Sequence, residues 1–354
     1  MANLTFAPGP SKVYDKLSRY FQDAFDQGIL SANHRSAVFM DLYKETERLF
    51  KEKLEVPADY RLLFTSSATE NWEIITQSIV QGHSYHIYSG SFGKKWFGFA
   101  QHILPKTTAL VLDKNQEIQV DALDIDTEAD LIAITQNETS NATQVRNETI
   151  SALGTRFPDK MIAVDTTSSM AGIYLDFRAA DIWYSSVQKC FGMPAGLGLL
   201  VLSPRAVAKV KAKGEQGRYN SLSFMLENAD SYQTHYTPNV LAIYLLNRVL
   251  TDMPSIAETQ DKTETRMRKL ESVVASSQSL GFLVSNAATR SRTVLGVSGE
   301  EAFIKEIKQA AEAQGMTLGG GYGPLKATSF RIANFPAITD AEFEKLVDFL
   351  ASYP

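Results

Sequence analysis

Three places in this sequence put reactive side chains in surroundings that would alter their chemistry. Lys189 stands in Ser185-Ser186-Val187-Gln188-Lys189-Cys190-Phe191-Gly192, just past a short apolar run and among small or apolar neighbours. In low-dielectric surroundings a lysine loses part of its preference for charge, and its amine becomes available for Schiff-base formation. The competing reading is a lysine on a surface loop. Asp165 closes Met161-Ile162-Ala163-Val164-Asp165. A carboxylate at the carboxyl end of a buried α/β strand lies where such sheets bind ligands, and it would there hold a protonated ring nitrogen. It reads equally well as a cap or turn residue, because Thr166-Thr167-Ser168-Ser169 follow. The third place is Leu62-Leu63-Phe64-Thr65-Ser66-Ser67-Ala68-Thr69-Glu70, a strand, a small-residue turn and a helix start, with Trp72, Ile75 and Ile79 on the helix's inner face. Hydroxyls and free amides at a helix N-terminus suit a phosphate, although Ser67 with Glu70 also spells a plain capping box.

Other combinations carry less. His83 and His86 read as two loop histidines with no carboxylate nearby to complete a metal set, so no metal site is expected. Ser89-Gly90-Ser91-Phe92-Gly93 lacks the first glycine of a hydrolase nucleophile elbow. Cys190 is the single cysteine, which excludes an intrachain disulfide, and it reads as a packed small hydrophobe. Gly319-Gly320-Gly321-Tyr322-Gly323 follows a helix and not a strand, the wrong context for a dinucleotide site.

The elements that must position these residues are legible as patterns. Over 354 residues, 44% are hydrophobic and 21% charged, with 35 Lys and Arg against 40 Asp and Glu for a net charge of −5. That is ordinary globular usage, and its slight acidity argues against nucleic acid or an anionic membrane as the partner. The first residues lack the basic and apolar regions of a signal peptide, and the longest apolar run, 190–202, is broken by Gly and Pro and falls short of the roughly 18 residues a membrane helix needs. The chain therefore reads as soluble and cytoplasmic.

Apolar runs at 61–64, 109–112, 131–135, 161–165, 182–186 and 198–202 suit strands buried on both faces of an α/β sheet. Most gaps between them hold a crossover helix. The eleven residues between Ser186 and Gly198 do not, so 198–202 is expected to run antiparallel in a mixed, mostly parallel sheet between helices. Helices are expected at 301–314, stopped by Gly315, and from a Thr339–Glu342 capping box onward, with a strand at 329–333 between them. The charged stretch 261–271 reads as a solvated helix face with a Glu264–Arg268 pair at i,i+4. A boundary near 245–255 divides the chain into a large α/β cofactor-binding domain, 15–250, and a smaller α+β domain formed by 251–354 together with 1–14.

Asp165 followed 24 positions later by Lys189, with Gln188 before the lysine and Gly192, Pro194 and Gly196 after it, resembles the class V pyridoxal-phosphate aminotransferases of fold type I. The resemblance runs over nearly the whole chain. It takes in Ala7-Pro8-Gly9-Pro10, His34-Arg35-Ser36 with Phe39, Ser67-Ala68-Thr69, Gly90-Ser91-Phe92-Gly93 with Trp96, Asn137-Glu138-Thr139, Tyr236-Thr237-Pro238 and Arg331-Ile332. Within the class it is most similar to phosphoserine aminotransferase.

The resemblance implies pyridoxal 5'-phosphate as cofactor, small amino and 2-oxo acids as substrates, and a homodimer with shared active sites. Lys189 would carry the cofactor as a Schiff base and shuttle the proton. Asp165 would pair with the ring nitrogen, Phe92 would cover the ring face, and Thr139 would bond the ring oxygen. Ser67, Ala68, Thr69 and Gln188 would bind the cofactor phosphate, with Tyr236 and Thr237 reaching in from the second subunit. Arg331 would clamp the substrate α-carboxylate, and His34 and Arg35 of a neighbouring subunit would meet the side-chain anion. The implied reaction exchanges the amino group of phosphoserine with 2-oxoglutarate, in serine biosynthesis. Phosphoserine aminotransferases carry a His-Arg pair shortly before the carboxylate arginine, and here Pro324-Leu325-Lys326 stands instead, leaving Lys326 as a possible third charge. An enzyme of serine–pyruvate or alanine–glyoxylate type is the nearest alternative. A catalytically silent binding protein on the same scaffold is a further one.

Overall fold

Runs of apolar residues without alternation become strands covered on both faces, and 131–135, 161–165, 182–186 and 198–202 are buried at every position. The structure, a computed structural model, describes residues 4–215 and 217–353. In chain order its strands are β1 (Leu4–Phe6), β2 (Arg61–Thr65), β3 (His83–Tyr88), β4 (Lys106–Val111), β5 (Leu131–Thr135), β6 (Asn137–Glu138), β7 (Thr143–Gln144), β8 (Met161–Asp165), β9 (Ile182–Ser186), β10 (Gly198–Leu202), β11 (Gly281–Phe282), β12 (Val294–Ser298), β13 (Met316–Gly320) and β14 (Ser329–Ala333). Its helices are α1 (Leu17–Asp26), α2 (Ala37–Leu54), α3 (Ala68–Ile79), α4 (Ser91–Ile103), α5 (Asn147–Arg156), α6 (Pro204–Lys213), α7 (Leu222–Ala229), α8 (Val240–Asp252), α9 (Ile256–Ser276), α10 (Glu301–Ala313) and α11 (Asp340–Ala351).

The larger sheet has the order β2-β10-β9-β8-β5-β3-β4. From β9 to β4 the neighbours are parallel. Strand β10 alone is reversed, antiparallel to both β9 and β2, as the tight 187–197 connection requires. This is the mixed α/β architecture that the apolar runs imply. Two departures have the same cause. His83–Tyr88 is a strand between β5 and β4, not a loop, and its histidines are interior: His83 Nε2 meets Thr108 Oγ1 at 2.8 Å and His86 Nε2 meets Ser84 Oγ at 2.9 Å. Burial pushes His86 down to about 3, so it stays neutral. β4 likewise begins at Lys106, with polar residues of an edge strand that carry no apolar signal.

The second sheet has the order β1-β13-β14-β12-β11, and β1 joins it parallel to β13, so the start of the chain pairs with its last third. Helix α8 packs on α1 and α2, whereas α9 packs on α11, β11 and β12. The α9 face that reads as solvated is in fact engaged: Glu264 accepts from Arg292 Nε at 2.9 Å, and Arg292 also donates to Glu271 at 3.0 Å. The expected Glu264–Arg268 pair does not form, because this already-anchored guanidinium takes the carboxylate, and Arg268 turns to the Thr265 hydroxyl at 2.9 Å. Both expected C-terminal helices and the 329–333 strand are present, and the Thr339–Glu342 capping box is complete.

Asn137 stitches the two sheets together. Its side-chain amide donates to Ser168 Oγ at 2.8 Å and to Thr293 Oγ1 at 2.9 Å, and its carbonyl accepts from Ser291 Oγ at 2.7 Å. Among the described residues, no single helix is long and apolar enough to cross a membrane, and no cluster of His, Cys, Asp and Glu could hold a metal ion.

Candidate active site

The carboxyl ends of β2, β5, β8 and β9 lie along one edge of the larger sheet, where ligands bind in open α/β folds. A cavity of about 250 Å³ opens there, against the turn 8–10 and against Arg331 of β14. It brings together Lys189, Asp165, Ser67, Ala68, Thr69, Phe92, Thr139, Gln188 and Arg331. Trp72, Thr167 and Tyr322 also line it.

Lys189 sits three residues beyond β9, in a turn closed by the Gly192 N–H donating to the Lys189 carbonyl at 2.9 Å. The Ser11 N–H and hydroxyl hold the Gln188 carbonyl at 3.1 and 2.9 Å. Gly9 passes so close that a Cβ there would stand 3.0 Å from Lys189 Cε. The lysine is buried. Its Nζ donates to Thr139 Oγ1 at 2.6 Å and lies 5.2 Å from the Phe92 ring centroid. Burial lowers its ammonium from 10.5 to about 8, against the opposing pull of the Asp165 and Glu138 charges. Such an amine is much closer to its neutral, nucleophilic form at physiological pH than an ordinary lysine is.

Asp165 makes a turn contact and also reaches the cavity. Its Oδ1 accepts from the Thr167 N–H at 2.9 Å, which is the turn role, and it also lines the cavity. Burial pushes its carboxyl above the ordinary carboxylate range, while the bond from the Thr167 N–H and the charge of Lys189 pull it back. The Tyr184 hydroxyl sits next to Asp165 and the Trp72 indole without closing a hydrogen bond of ordinary geometry to either. Thr167 Oγ1 and Trp72 Nε1 are likewise buried and unpartnered. Buried polar groups without partners are costly, so this end of the cavity is built to meet polar atoms that the chain does not itself supply.

The turn after β2 is a helix cap with an offset. Ser67 Oγ accepts from the Glu70 N–H at 3.1 Å, but the Glu70 carboxylate reaches the N–H and hydroxyl of Ser66, at 2.8 and 2.7 Å, and not the Ser67 N–H. Gly198 lets β10 press against this turn: a Cβ there would lie 2.3 Å from Thr65 Oγ1 and 2.6 Å from the Ser67 carbonyl carbon. The first turn of α3 opens on the cavity with amides suited to an anion.

Phe92 is placed by a residue whose role the sequence does not disclose. The Glu138 carboxylate accepts from the Phe92 and Gly93 N–H groups at 3.0 Å each, and from the Ser140 N–H and hydroxyl at 3.0 and 2.6 Å. It is fully buried and caps α4 from another element, a placement that only the tertiary structure reveals. Glu138→Gln replaces an acceptor with an amide that turns N–H groups toward N–H groups. We expect a loss of about 1–3 kcal/mol in urea unfolding at neutral pH, and an unchanged midpoint would remove Glu138 from this role.

Arg331 donates from Nε to the Gly320 carbonyl at 2.8 Å and from a terminal nitrogen to the Thr139 carbonyl at 2.7 Å, with its guanidinium 5.5 Å from the Tyr322 ring centroid. Four of the singled-out residues do not line the cavity: His34, Arg35, Tyr236 and Thr237. Of these, Arg35 donates to the Gln233 side chain at 2.8 Å and Tyr236 packs on the adjacent His235. Lys326 lies on a groove beside α10 and not at the cavity, so it is not the third charge there. Trp72 reads in the sequence as core and Tyr322 as part of a glycine-rich run, yet both line the site.

A sheet of this topology with a buried lysine and aspartate at its carboxyl edge is that of a fold type I aminotransferase. The family model for class V aminotransferases matches residues 5–323, and the chain belongs to that family. Its relatives include the phosphoserine aminotransferase of Nocardioides sp., 27% identical over 96% of this chain and 92% of that one. Among solved structures, a phosphoserine aminotransferase from Cytophaga hutchinsonii superposes with a TM-score of 0.94 at 34% identity, covering 99% of this chain and 98% of that one. An alanine–glyoxylate aminotransferase from Nostoc sp. shares the fold at a TM-score of 0.82 and 17% identity, covering 100% and 95%. Membership makes the protein a pyridoxal-phosphate-dependent aminotransferase acting on small amino and oxo acids.

Proposed function

We propose that this chain is a homodimeric phosphoserine aminotransferase, exchanging the amino group of phosphoserine with 2-oxoglutarate in the cytoplasm. The observation that carries the reading is the buried, down-shifted Lys189 amine facing the same cavity as Asp165, Phe92 and Arg331. The unpartnered polar groups beside Asp165 and the α3 N-terminus fit the two polar ends of pyridoxal 5'-phosphate, a ring nitrogen and a phosphate. When bound, that cofactor supplies an electron-poor ring that accepts and returns the amino group.

The chain's own groups do the rest. Lys189 Nζ would anchor the cofactor and would take the proton from the substrate α-carbon. Asp165 would keep a proton on the ring nitrogen, and Phe92 and Thr139 would hold the ring. Ser67, Ala68, Thr69 and Gln188 hold the phosphate, and Arg331 clamps the α-carboxylate with a planar guanidinium. In this reading residues 15–250 form the cofactor-binding domain, and 251–354 with 1–14 bring Arg331 to it. Tyr236, Thr237, His34 and Arg35 serve the second subunit's cavity. Exposed Val38 and Tyr219, 55% and 64% accessible, lie close to these residues and suit burial against a second copy.

The position of Lys326 favours one alternative, because without it or a His-Arg pair the protomer lacks the phosphate contacts of a phosphoserine enzyme. An alanine- or serine-type transaminase is that second reading. The ratio of kcat/KM for phosphoserine over alanine decides between them, and a ratio below one promotes the second. In Arg35→Ala we expect the KM for phosphoserine to rise by about tenfold or more, from loss of a hydrogen bond to a charged group, while the KM for alanine stays put. Equal changes would remove Arg35 from the substrate site.

A further inference from the structure

The run Gly319-Gly320-Gly321-Tyr322-Gly323 lets the chain fold back where side chains would collide. A Cβ on Gly319 would lie 2.4 Å from Pro8 Cδ, and one on Gly321 would lie 2.2 Å from the Leu325 carbonyl oxygen. The tight return sets Tyr322 over the cavity, its ring 5.5 Å from the Arg331 guanidinium and 5.6 Å from the Phe92 ring. The Tyr322 hydroxyl accepts from Lys95 Nζ at 3.1 Å. Lys95 follows Phe92 by three residues on α4, and its ammonium stands 5.6 Å from the Phe92 centroid and 5.8 Å from that of Tyr322. The lysine is exposed, and among the described residues no carboxylate pairs with it. Its charge therefore faces the Tyr322 hydroxyl and two aromatic rings, those of Phe92 and Tyr322, at the rim of the cavity.

We infer that Lys95, steadied by Tyr322, is the protomer's own contact for a second anionic group on the substrate, so that preferred substrates carry a side-chain phosphate or carboxylate. This rests on the reading of Arg331 as the α-carboxylate clamp. Among the described residues the cavity lining holds two cations, Lys189 and Arg331. In that reading the first is taken by the cofactor and the second by the α-carboxylate. A side-chain phosphate is nearly dianionic at neutral pH, and an anion leaving water needs donors in return. Lys95 does not itself line the cavity but stands against Phe92 and Tyr322, which do, and the Tyr322 ring centroid lies 5.8 Å from its ammonium and 5.5 Å from the Arg331 guanidinium. An ammonium on a flexible stem serves phosphate and carboxylate alike, and once it turns to the substrate the Tyr322 hydroxyl is freed as a second donor.

The test compares wild-type holoenzyme with Lys95→Gln and Tyr322→Phe, using phosphoserine, glutamate and alanine as donors and succinate as an unreactive dicarboxylate. Succinate affinity is read from the visible band, independently of turnover. In Lys95→Gln, kcat/KM for the anionic donors should fall about tenfold through KM, the succinate Kd should rise about tenfold, and alanine should change less than about twofold, as loss of one charge-assisted contact at an exposed rim implies. Tyr322→Phe should shift the same quantities in the same direction by less. Unchanged succinate binding, or an equal loss with alanine, overturns the inference. A wild type that ignores phosphoserine but whose glutamate and succinate binding depends on Lys95 retires the phosphoserine reading alone. A wild type that uses phosphoserine, with that efficiency fully kept in Lys95→Gln, retires Lys95 alone.

Discussion

Lys189→Met yields a folded protein that no longer transaminates. A positioned proton carrier alone supplies about 10²–10⁴-fold, and with the attachment point also gone the rate should fall to background. Borohydride reduction of the wild-type holoenzyme should fix the cofactor on the peptide containing residue 189, and a label on any other lysine sinks the assignment. The same variant has a signature in the cofactor-free protein. The folded value of about 8 lies below the ordinary 10.5, so between these limits the unfolded chain binds more protons and stability rises with pH. Below about 8 the full penalty of roughly 3 kcal/mol is present. Methionine fills similar space without charge, so the cofactor-free variant should be more stable than wild type at pH 7 and should lose the slope between pH 8 and 10.5. Urea unfolding at pH 7 and 10 measures both.

The second large effect is expected at Asp165. Asp165→Asn should fold normally, because the Asn carbonyl can still accept from the Thr167 N–H that Asp165 holds at 2.9 Å. It should retain cofactor through the α3 turn and Lys189 yet lose most of its turnover. An amide cannot stabilise a protonated ring nitrogen, and a charge-assisted bond of this kind is worth roughly 1.5–3 kcal/mol, or about one to two decades in rate. Near-normal turnover with an unchanged melting temperature would reduce Asp165 to its turn role.

What the sequence disclosed of this molecule depended on how each residue's partners are arranged along the chain. Strands β5, β8, β9 and β10 are buried on both faces, so their apolar runs stand out with the observed bounds. Strand β3 is largely interior too, but its His and Ser side chains find their partners on one another and on Thr108, and no local pattern records that. Lys189 and Asp165 were legible because each follows or ends such a run. Phe92 was legible as a motif, while the carboxylate that places it comes from Glu138, 46 positions away. The Glu264–Arg268 pair failed for a related reason: helix spacing predicts which charges are neighbours, not whether a guanidinium from a distant strand arrives first. Tyr322 was hidden because its surroundings are glycines, whose value lies in contacts with Pro8 and Leu325 that only the folded chain shows.

The reversed strand carries a consequence for how this protein can change over evolutionary time. Gly198 pairs with both Ser186 and Thr65, so residues 187–197 form a span of fixed length between the end of β9 and the start of β10. Inserting or deleting one residue in that span would move Leu197 or Leu199 into the place of Gly198, where any Cβ meets Thr65 Oγ1 at 2.3 Å. The segment that presents Lys189 is thus also the ruler that sets the sheet's register. With Val187, Lys189, Cys190, Phe191, Met193 and Leu197 buried as well, the segment is held in both length and packing, and drift in loop size must accumulate elsewhere on the molecule.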